Sequence, residues 1–302
     1  FYSWSYVVVG EIAALCTAFC WAIAARLFRI LGGHFSALSL NLWKGIVTTS
    51  VLGIYLFFSP SMGEFSHVDV LWLLLSGVIG IGIGDTCFFQ ALKRIGDSQT
   101  VLVAETLAPI FTALLAMAWI SEWLTWQQWL GIAVVLFSVD MLVKQQKRQE
   151  AQVFQLGGYG FAGAAAMCQA VGAVISRDVL TSSSIEPAPA ATLRLAGGLF
   201  IVVGLMLWRK TPWLPFSEHK RYAWRVMVIA SVIGTLIPMY LQMLAFMHTQ
   251  AAVVQTLFAT SVLLSLAVAY FLGERVPKSA WGWSGLALVG VSILVIGEHV
   301  IG

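Results

Sequence analysis

Charged side chains inside long apolar stretches are the residues of this chain best suited to do chemistry. A charge at the centre of a membrane helix costs about 2.5 to 3.5 kcal/mol on insertion scales, so it persists where a partner, water or a solute meets it. Such positions are therefore candidates for solute binding or proton exchange. They are Glu11, Lys44, Asp85, Glu105, Asp140 and Arg194.

Ten apolar stretches carry these residues, and each is long enough to cross a bilayer as a helix of about 20 residues. Hydrophobic residues make up 59% of the chain and charged residues 10%, and the mean hydropathy is +0.87. A soluble protein could not divide that composition between a core and a surface. The sequence predicts an all-α integral membrane protein with ten transmembrane helices. Their expected bounds are residues 5–28, 36–58, 69–92, 98–121, 126–143, 157–180, 187–208, 222–247, 250–272 and 279–299.

The chain is expected to contain two five-helix repeats, residues 1–150 and 151–302. Five crossings per copy place the copies in opposite orientations, and inverted repeats are typical of secondary transporters that bind substrate near the midplane. We expect a cavity between the copies, walled by spans one to four and six to nine. The matched pairs are Cys20 and Cys168, Lys44 and Arg194, Gly82 and Gly234, Phe88 and Tyr240, Gln90 and Gln242, and Glu122 and Glu274.

Basic residues collect in the loops that follow the odd-numbered spans. Of the seventeen Lys and Arg residues, only Lys44, Arg177 and Arg194 lie elsewhere. Basic loops stay on the cytoplasmic side of a membrane. We therefore expect the odd-numbered loops to be cytoplasmic, both termini to lie outside, and the location to be a bacterial inner membrane.

One basic and two acidic residues are expected to meet in the cytoplasmic half of the membrane. Lys44 lies about 12 Å of helix rise from the start of its span, and Asp85 and Glu105 fall at a similar depth. Two carboxylates that share one ammonium leave an excess negative charge, so one of them is expected to exchange a proton or meet a cationic group of a substrate. The alternative is a structural ion pair that fixes spans two, three and four.

The second basic residue inside a span, Arg194, is expected in the outer half of the membrane. Glu11 is the in-span acid at a similar depth, so the two are predicted to pair across the outer mouth. Lys44 and Arg194 would then flank a central site, suited to attracting a carboxylate or phosphate or to anchoring two gates. Structural pinning is again the alternative.

Uncharged polar side chains extend this candidate site. Asn41 lies one turn before Lys44 on the same helix face, and the indoles of Trp21 and Trp43 need partners inside their spans. Singly, such groups more often make interhelical hydrogen bonds, but together they suit a zwitterionic or polar small molecule. The predicted substrate-binding residues are Trp21, Asn41, Lys44, Gln90, Gln169, Arg194, Tyr240 and Gln242, and the predicted proton-coupling or gate residues are Glu105, Asp85 and Glu11.

A leucine-proline helix, a Glu-bearing turn and a Q-x-x-G sequence before a last apolar helix follow one another in the first half. They are Leu107–Pro109, Ser121–Glu122 and Gln128–Gly131, and the second half repeats the pattern at Gly273–Glu274 and Trp283–Gly285. Each half therefore resembles the EamA repeat of the drug/metabolite transporter (DMT) superfamily.

This resemblance covers essentially the whole chain. Trp21 matches a tryptophan that EamA halves often carry in their first span, and Lys44 and Arg194 occupy the basic position of the second span. The resemblance implies a ten-helix transporter for small metabolites, often an exporter of amino acids or similar compounds.

The expected function is secondary transport of a small polar metabolite, such as an amino acid or organic ion, by export or exchange. The chain has no G-x-x-x-x-G-K-S/T phosphate loop, so a proton or solute gradient or exchange would supply the energy. The alternative is a flippase for a lipid or lipid-linked sugar. An enzyme is disfavoured, because no His, Cys or carboxylate set has metal spacing.

The expected partners are a small-molecule substrate, membrane lipids and a proton or counter-solute. We expect no cofactor or metal, and a net charge of +3 does not suggest nucleic acid.

Overall fold

The computed structural model describes residues 2–58, 66–146, 156–216, 219–273 and 277–299. Within these ranges all regular secondary structure is helical, and ten helical spans are long and apolar enough to cross a membrane. This confirms the predicted class, an all-α, multi-pass integral membrane protein. The predicted repeat boundary at residues 150 and 151 lies outside the described residues. In chain order, spans one to ten are Val8–Gly32, Ala37–Phe58, His67–Gly96, Gln99–Trp119, Trp126–Lys144, Leu156–Ser182, Pro187–Arg209, Lys220–His248, Ala251–Phe271 and Ser279–Gly297.

Most spans belong to single α-helices, but spans three, eight and nine change partway. Spans three and eight pass from α-helix to π-helix and back, and span nine consists of two α-helices that meet at Thr260. The α-helices are Tyr2–Gly32, Ala37–Phe58, His67–Gly77, Gly84–Trp119, Trp126–Gln146, Leu156–Ser182, Pro187–Arg209, Lys220–Ser231, Ile237–His248, Ala251–Ala259, Ser261–Phe271 and Lys278–His299, and the π-helices are Val78–Ile83 and Val232–Leu236.

Two local signals set the ends of span three. At its start, the Asp69 amide donates to Ser66 Oγ at 3.2 Å, and the Ser66 amide donates to Asp69 Oδ2 at 2.8 Å. This reciprocal capping satisfies amides that the first helical turn leaves free. At its end, Gly96 has φ 77° and ψ 172°, a conformation that glycine adopts without a steric penalty. The chain turns there into span four.

The two π-helical segments are repeat mates. Gly82 lies in the segment of span three and Gly234 in that of span eight. A π-helical turn is uncommon and often occurs at functional sites. The two halves therefore share an irregular element of backbone as well as sequence, and this element lies at the middle of both spans.

The spans of one repeat pack against those of the other. Span one lies against spans eight and nine, and its mate, span six, lies against spans three and four. Span two packs on span seven, and span five packs on span ten. Such an exchange is expected of inverted repeats, since each half covers the equivalent face of the other.

Glycines allow a close crossing between spans three and seven. A Cβ at Gly77 would overlap the backbone carbonyl of Arg194, and a Cβ at Gly197 would overlap that of Leu74. Small residues permit this backbone approach between membrane helices. The crossing fixes the position of Arg194 relative to span three.

The two sides of the molecule differ in packing. We call the side reached by the loops after spans one, three, five, seven and nine the odd-loop side, and the opposite side the even-loop side. The largest buried apolar cluster includes Ile185, Phe246, Val253, Leu257 and Phe258, which lie in the even-loop half. The even-loop half is therefore densely packed.

Candidate functional site

A cavity of about 370 Å³ lies between the two repeats. Its walls come from spans one to four and six to nine, the eight spans predicted from the repeat. The volume falls in the range of small-molecule sites. Seven of the eleven predicted site residues line it: Trp21, Lys44, Asp85, Glu105, Gln169, Arg194 and Gln242.

The charge of Lys44 is balanced by a neighbouring carboxylate. Lys44 Nζ lies 3.5 Å from Asp85 Oδ2, and the same oxygen accepts a hydrogen bond of 3.0 Å from Asn41 Nδ2. Nζ also lies 5.9 Å from the centre of the Phe28 ring. The Lys44 and Asp85 side chains are 23% and 33% exposed, so the pair faces an open part of the cavity. Asn41 is buried and supports Asp85 from behind the lining.

Arg194, the repeat mate of Lys44, has a different environment. The residue is 1% exposed, and its Nη1 donates a hydrogen bond of 2.9 Å to Ser176 Oγ. Within the described residues it forms no ion pair, and its Nε has no hydrogen-bond partner. Arg194 is therefore a buried cation without a contacting counter-charge.

Two glycines and a serine form the seat of the Arg194 guanidinium. A Cβ at Gly80 would lie 3.3 Å from Nη2, and a Cβ at Gly172 would lie 3.4 Å from it. Ser176 Oγ donates to the Gly172 carbonyl at 2.7 Å and lies 2.8 Å from Ser76 Oγ. The guanidinium thus passes between spans three and six where the absence of side chains leaves room. Its position is set by these two spans.

Four more polar side chains face the cavity without a partner. Glu105, Gln169 and Gln242 line it and make no hydrogen bond or ion pair with the part of the chain that is described. Gln255 also lines the cavity, is 4% exposed, and has an unpartnered Nε2. The sequence indicates Gln255 as one of the polar residues that outline the cavity, although it is not in the predicted substrate-binding set. The polar atoms of Glu105, Gln169 and Gln242 are open to the cavity, so water or a ligand that enters it can meet them.

Aromatic rings form part of the wall. Trp21 packs on Phe258, with ring centroids 5.0 Å apart, and Phe28 and Phe88 also line the cavity. Trp43 does not line it. Its Nε1 donates a 2.7 Å hydrogen bond to the Trp213 carbonyl, so this indole ties span two to the loop after span seven.

Besides Asn41, three predicted site residues do not line the cavity. Gln90 and Tyr240 are not among the lining residues, and Tyr240 is 41% exposed. Glu11 is buried but does not line the cavity and is not a partner of Arg194. The contacts of Arg194 therefore differ from the predicted pair with Glu11. Depth along a span does not determine which helix faces meet.

A polar network lies on the even-loop side, and we call it the even-loop network. Arg177 Nε donates to Glu122 Oε1 at 2.6 Å, and Arg177 Nη1 donates to the carbonyls of Phe246 and Met247 at 2.6 and 3.0 Å. The Ala251 amide donates to Glu122 Oε2 at 3.1 Å. The pair thus satisfies the end of span eight and the start of span nine. It joins the turn after span four to spans six, eight and nine.

Glu122, which belongs to the Glu-bearing turn after span four, has a structural role in this network. Its repeat mate Glu274 lies outside the described residues. Among those that are described, no three His, Cys, Asp or Glu side chains lie close enough to hold a metal ion. The chemistry of the cavity is therefore that of fixed charges, amides and aromatic rings.

Known proteins were compared with the chain. The sequence profile of the EamA-like transporter family matches it twice, at residues 8–143 and 156–296. A solved structure described as "Crystal structure of protein" superposes with a TM-score of 0.77 at 18% sequence identity, covering 97% of this chain and 97% of that chain. At that identity the likeness shows the fold alone. No curated protein matches.

Proposed function

Because the chain belongs to the EamA-like transporter family of the DMT superfamily and is thus a membrane transporter, we propose that it is a secondary transporter of a small polar metabolite, such as an amino acid or organic ion. The observation that carries the proposal is the set of unpartnered polar side chains on one cavity between the repeats. A desolvated polar group is costly unless something meets it. A polar solute that enters the cavity would meet these groups.

Charge balance favours a solute that is polar rather than strongly anionic or cationic. The cavity carries two cations, Lys44 and Arg194, and two carboxylates, Asp85 and Glu105. Lys44 and Asp85 balance each other, which leaves one fixed charge of each sign. A solute with both an acidic and a basic group complements such a site.

Alternating access is supported by the contrast between the two ends of the cavity. The even-loop network and the apolar cluster lie at one end, whereas the Lys44 and Asp85 side chains, which belong to the odd-loop half, are partly exposed. We propose that this conformation is open to the odd-loop side. Opening to the even-loop side would break the pair of Arg177 and Glu122, and rocking of the repeats would close the other end.

The proposed orientation places the odd-numbered loops in the cytoplasm. The ion pair of Arg177 with Glu122 supports this orientation, since a paired Arg177 adds no free positive charge to an even-numbered loop. In a variant that lacks the four native cysteines, Ser66→Cys should react with an impermeant maleimide from outside intact cells and Leu214→Cys should not. The reverse labelling pattern would invert the assignment.

Transport itself can be tested with the purified full chain in liposomes. Labelled amino acids and organic acids are exchanged across the membrane while a fluorescent phospholipid reports movement between leaflets. We expect saturable solute exchange without lipid movement, and protein-free liposomes are the control. Lipid movement without solute exchange would replace the transporter proposal with a flippase.

A further inference from the structure

The helix that begins span eight, Lys220–Ser231, has two different faces. Its inner face packs on the end of span one and on span two, through an apolar cluster that includes Met227 and Ala230. On the same helix, Trp224 meets the ring of Trp43 edge-on, with ring centroids 4.7 Å apart. These contacts fix the rotation of the helix about its own axis.

The outer face of this helix is partly basic and partly apolar. Arg221 and Arg225 lie one turn apart, and Val228 and Ile229 follow on the same side of the helix. All four side chains are exposed, and none of them lines the cavity between the repeats. Because exposed apolar side chains of a membrane-spanning helix meet the acyl chains of lipids, this face points to the bilayer.

The basic and the apolar residues of the outer face lie at different depths. From Arg225 to Ile229 the helix rises about 6 Å, and the headgroup layer on one side of a bilayer is about 5 to 8 Å thick. Tyr222 is also exposed at the level of the arginines, and tyrosine is enriched where a helix crosses this layer. With Ile229 among acyl chains, the two guanidinium groups therefore reach the level of the lipid phosphates.

Neither guanidinium is neutralised by the part of the chain that is described. No carboxylate there pairs with Arg221 or Arg225, and the helix itself contains no acidic residue. Glu218, the nearest acid in sequence, lies outside the described residues. Lys220 adds a positive charge in the first turn, where the helix dipole disfavours cations. An anion from outside the chain would stabilise this end of the helix.

Two other basic residues on the odd-loop side already have partners. Lys144 pairs with Asp140 at 2.6 Å, and the guanidinium carbon of Arg94 lies 4.3 Å from the centre of the Phe161 ring. The arginines on the outer face of span eight have neither kind of contact. Arginine suits a phosphate, because its planar fork can donate two parallel hydrogen bonds.

We propose that Arg221 and Arg225 bind the phosphate of an anionic phospholipid in the leaflet on the odd-loop side, while Val228 and Ile229 contact its acyl chain. The site is separate from the cavity between the repeats and goes beyond the proposed transport function. A phospholipid whose headgroup also carries an ammonium presents the same acyl chains without net negative charge. It should therefore bind more weakly.

Lipid binding to the purified full chain in a neutral detergent tests the proposal by native mass spectrometry. The probes are phosphatidylglycerol, phosphatidylcholine with the same acyl chains, glycerophosphoglycerol and inorganic phosphate. We expect phosphatidylglycerol to bind roughly 10- to 30-fold more tightly than phosphatidylcholine, since each cation near an anionic lipid surface contributes roughly fivefold. The two soluble probes should bind weakly, because they have no acyl chains to contact Val228 and Ile229.

Variants locate the site. Arg221→Gln with Arg225→Gln should remove the preference for phosphatidylglycerol and leave binding of phosphatidylcholine unchanged. The matched control is Lys93→Gln with Lys144→Gln, which removes the same charge from the same side and should keep the preference. Arg221→Lys with Arg225→Lys should keep part of it, since an ammonium attracts a phosphate without the fork of a guanidinium. If the double glutamine variant does not fold, Arg225→Gln alone should cost roughly fivefold in binding of phosphatidylglycerol.

Four outcomes would overturn the proposal. Two are a wild-type protein that does not distinguish the two phospholipids and a preference that persists in Arg221→Gln with Arg225→Gln. An equal loss in the lysine control would show a general effect of net charge instead of a site. Binding of inorganic phosphate as tight as that of phosphatidylglycerol would replace the lipid with a soluble anion. All four leave the transport function standing, since solute exchange is measured separately.

Discussion

Lys44 and Arg194 occupy the same position in two copies of one five-helix unit, yet their surroundings differ. Lys44 has a carboxylate at 3.5 Å, whereas Arg194 has a serine hydroxyl at 2.9 Å. Lys44 is partly exposed, and Arg194 is 1% exposed. The two repeats thus share the position of a cation near the centre of the protein, but the contacts and the exposure of that cation differ.

Single substitutions between the copies explain the difference. Lys44 lies over Phe28, and the residue 148 positions later is Ser176, the partner of Arg194. Asp85, which pairs with Lys44, corresponds to Ile237, 152 positions later. The second copy therefore offers its cation a hydroxyl and no acid. A symmetric scaffold becomes a site with one unpaired positive charge.

The largest effect is expected for Arg194. Arg194→Gln should lower solute exchange in liposomes roughly 10- to 100-fold, because a hydrogen bond to a charged group contributes about 1.5 to 3 kcal/mol. Arg194→Lys should retain more activity than Arg194→Gln. Thermal unfolding of each variant serves as the control for folding. Exchange at the wild-type rate in Arg194→Gln would show that the unpaired charge is not used.

Glu105 tests the negative half of the comparison. Glu105→Gln should abolish the response of uptake to a pH gradient, since an amide cannot bind or release a proton. Exchange of labelled substrate should persist with a few-fold loss, because an amide oxygen still accepts a hydrogen bond from an amine. Both activities are measured in the same liposomes. Unchanged pH-driven uptake would move proton coupling to Asp85 or to no acid.

Double substitutions distinguish a paired cation from an unpaired one. Lys44→Gln with Asp85→Asn should lose less stability than the sum of the single changes, with a coupling energy of about 0.5 to 2 kcal/mol. Arg194→Gln with Asp85→Asn should be closer to additive, because no ion pair or hydrogen bond joins these two residues. The readout is unfolding of the purified protein. Equal coupling energies in the two cycles would show that Asp85 interacts with Arg194 as strongly as with Lys44, which contradicts the comparison.

The smallest effect concerns the even-loop network, where Arg177 is also a paired cation. Glu122→Gln should raise the labelling rate of Gln255→Cys from the even-loop side several-fold, because it removes the carboxylate that bridges Arg177 and Ala251. Asp140→Asn is the matched control, since it breaks an exposed pair in which Lys144 Nζ lies 2.6 Å from Asp140 Oδ2. Equal labelling in both variants would mean that the network does not act as a gate.

The fold could be predicted from the sequence because membrane spans are set by length and apolarity. All ten expected spans lie within a few residues of those observed. The eight walls of the cavity followed from the repeat, since inverted copies bury equivalent faces. The π-helical segments at Gly82 and Gly234 were not predicted, because their sequences remain apolar and helical in pattern.

Side-chain partners were harder to predict, since counting along a span gives depth but not helix rotation. The similar depth of Lys44, Asp85 and Glu105 along their spans correctly indicated that they line one cavity. Depth alone also suggested Glu11 for Arg194, whereas rotation and close glycine crossings bring Ser176 to it. The link between Arg177 and Glu122 depends on spans far apart in sequence, and no local pattern indicates it.

A structure of the protein with a bound solute would test the central claim most directly. The account predicts the solute in the cavity between the repeats, in contact with Arg194, with Lys44 still beside Asp85. A solute bound to Lys44, with Asp85 displaced and Arg194 still held by Ser176 alone, would contradict it.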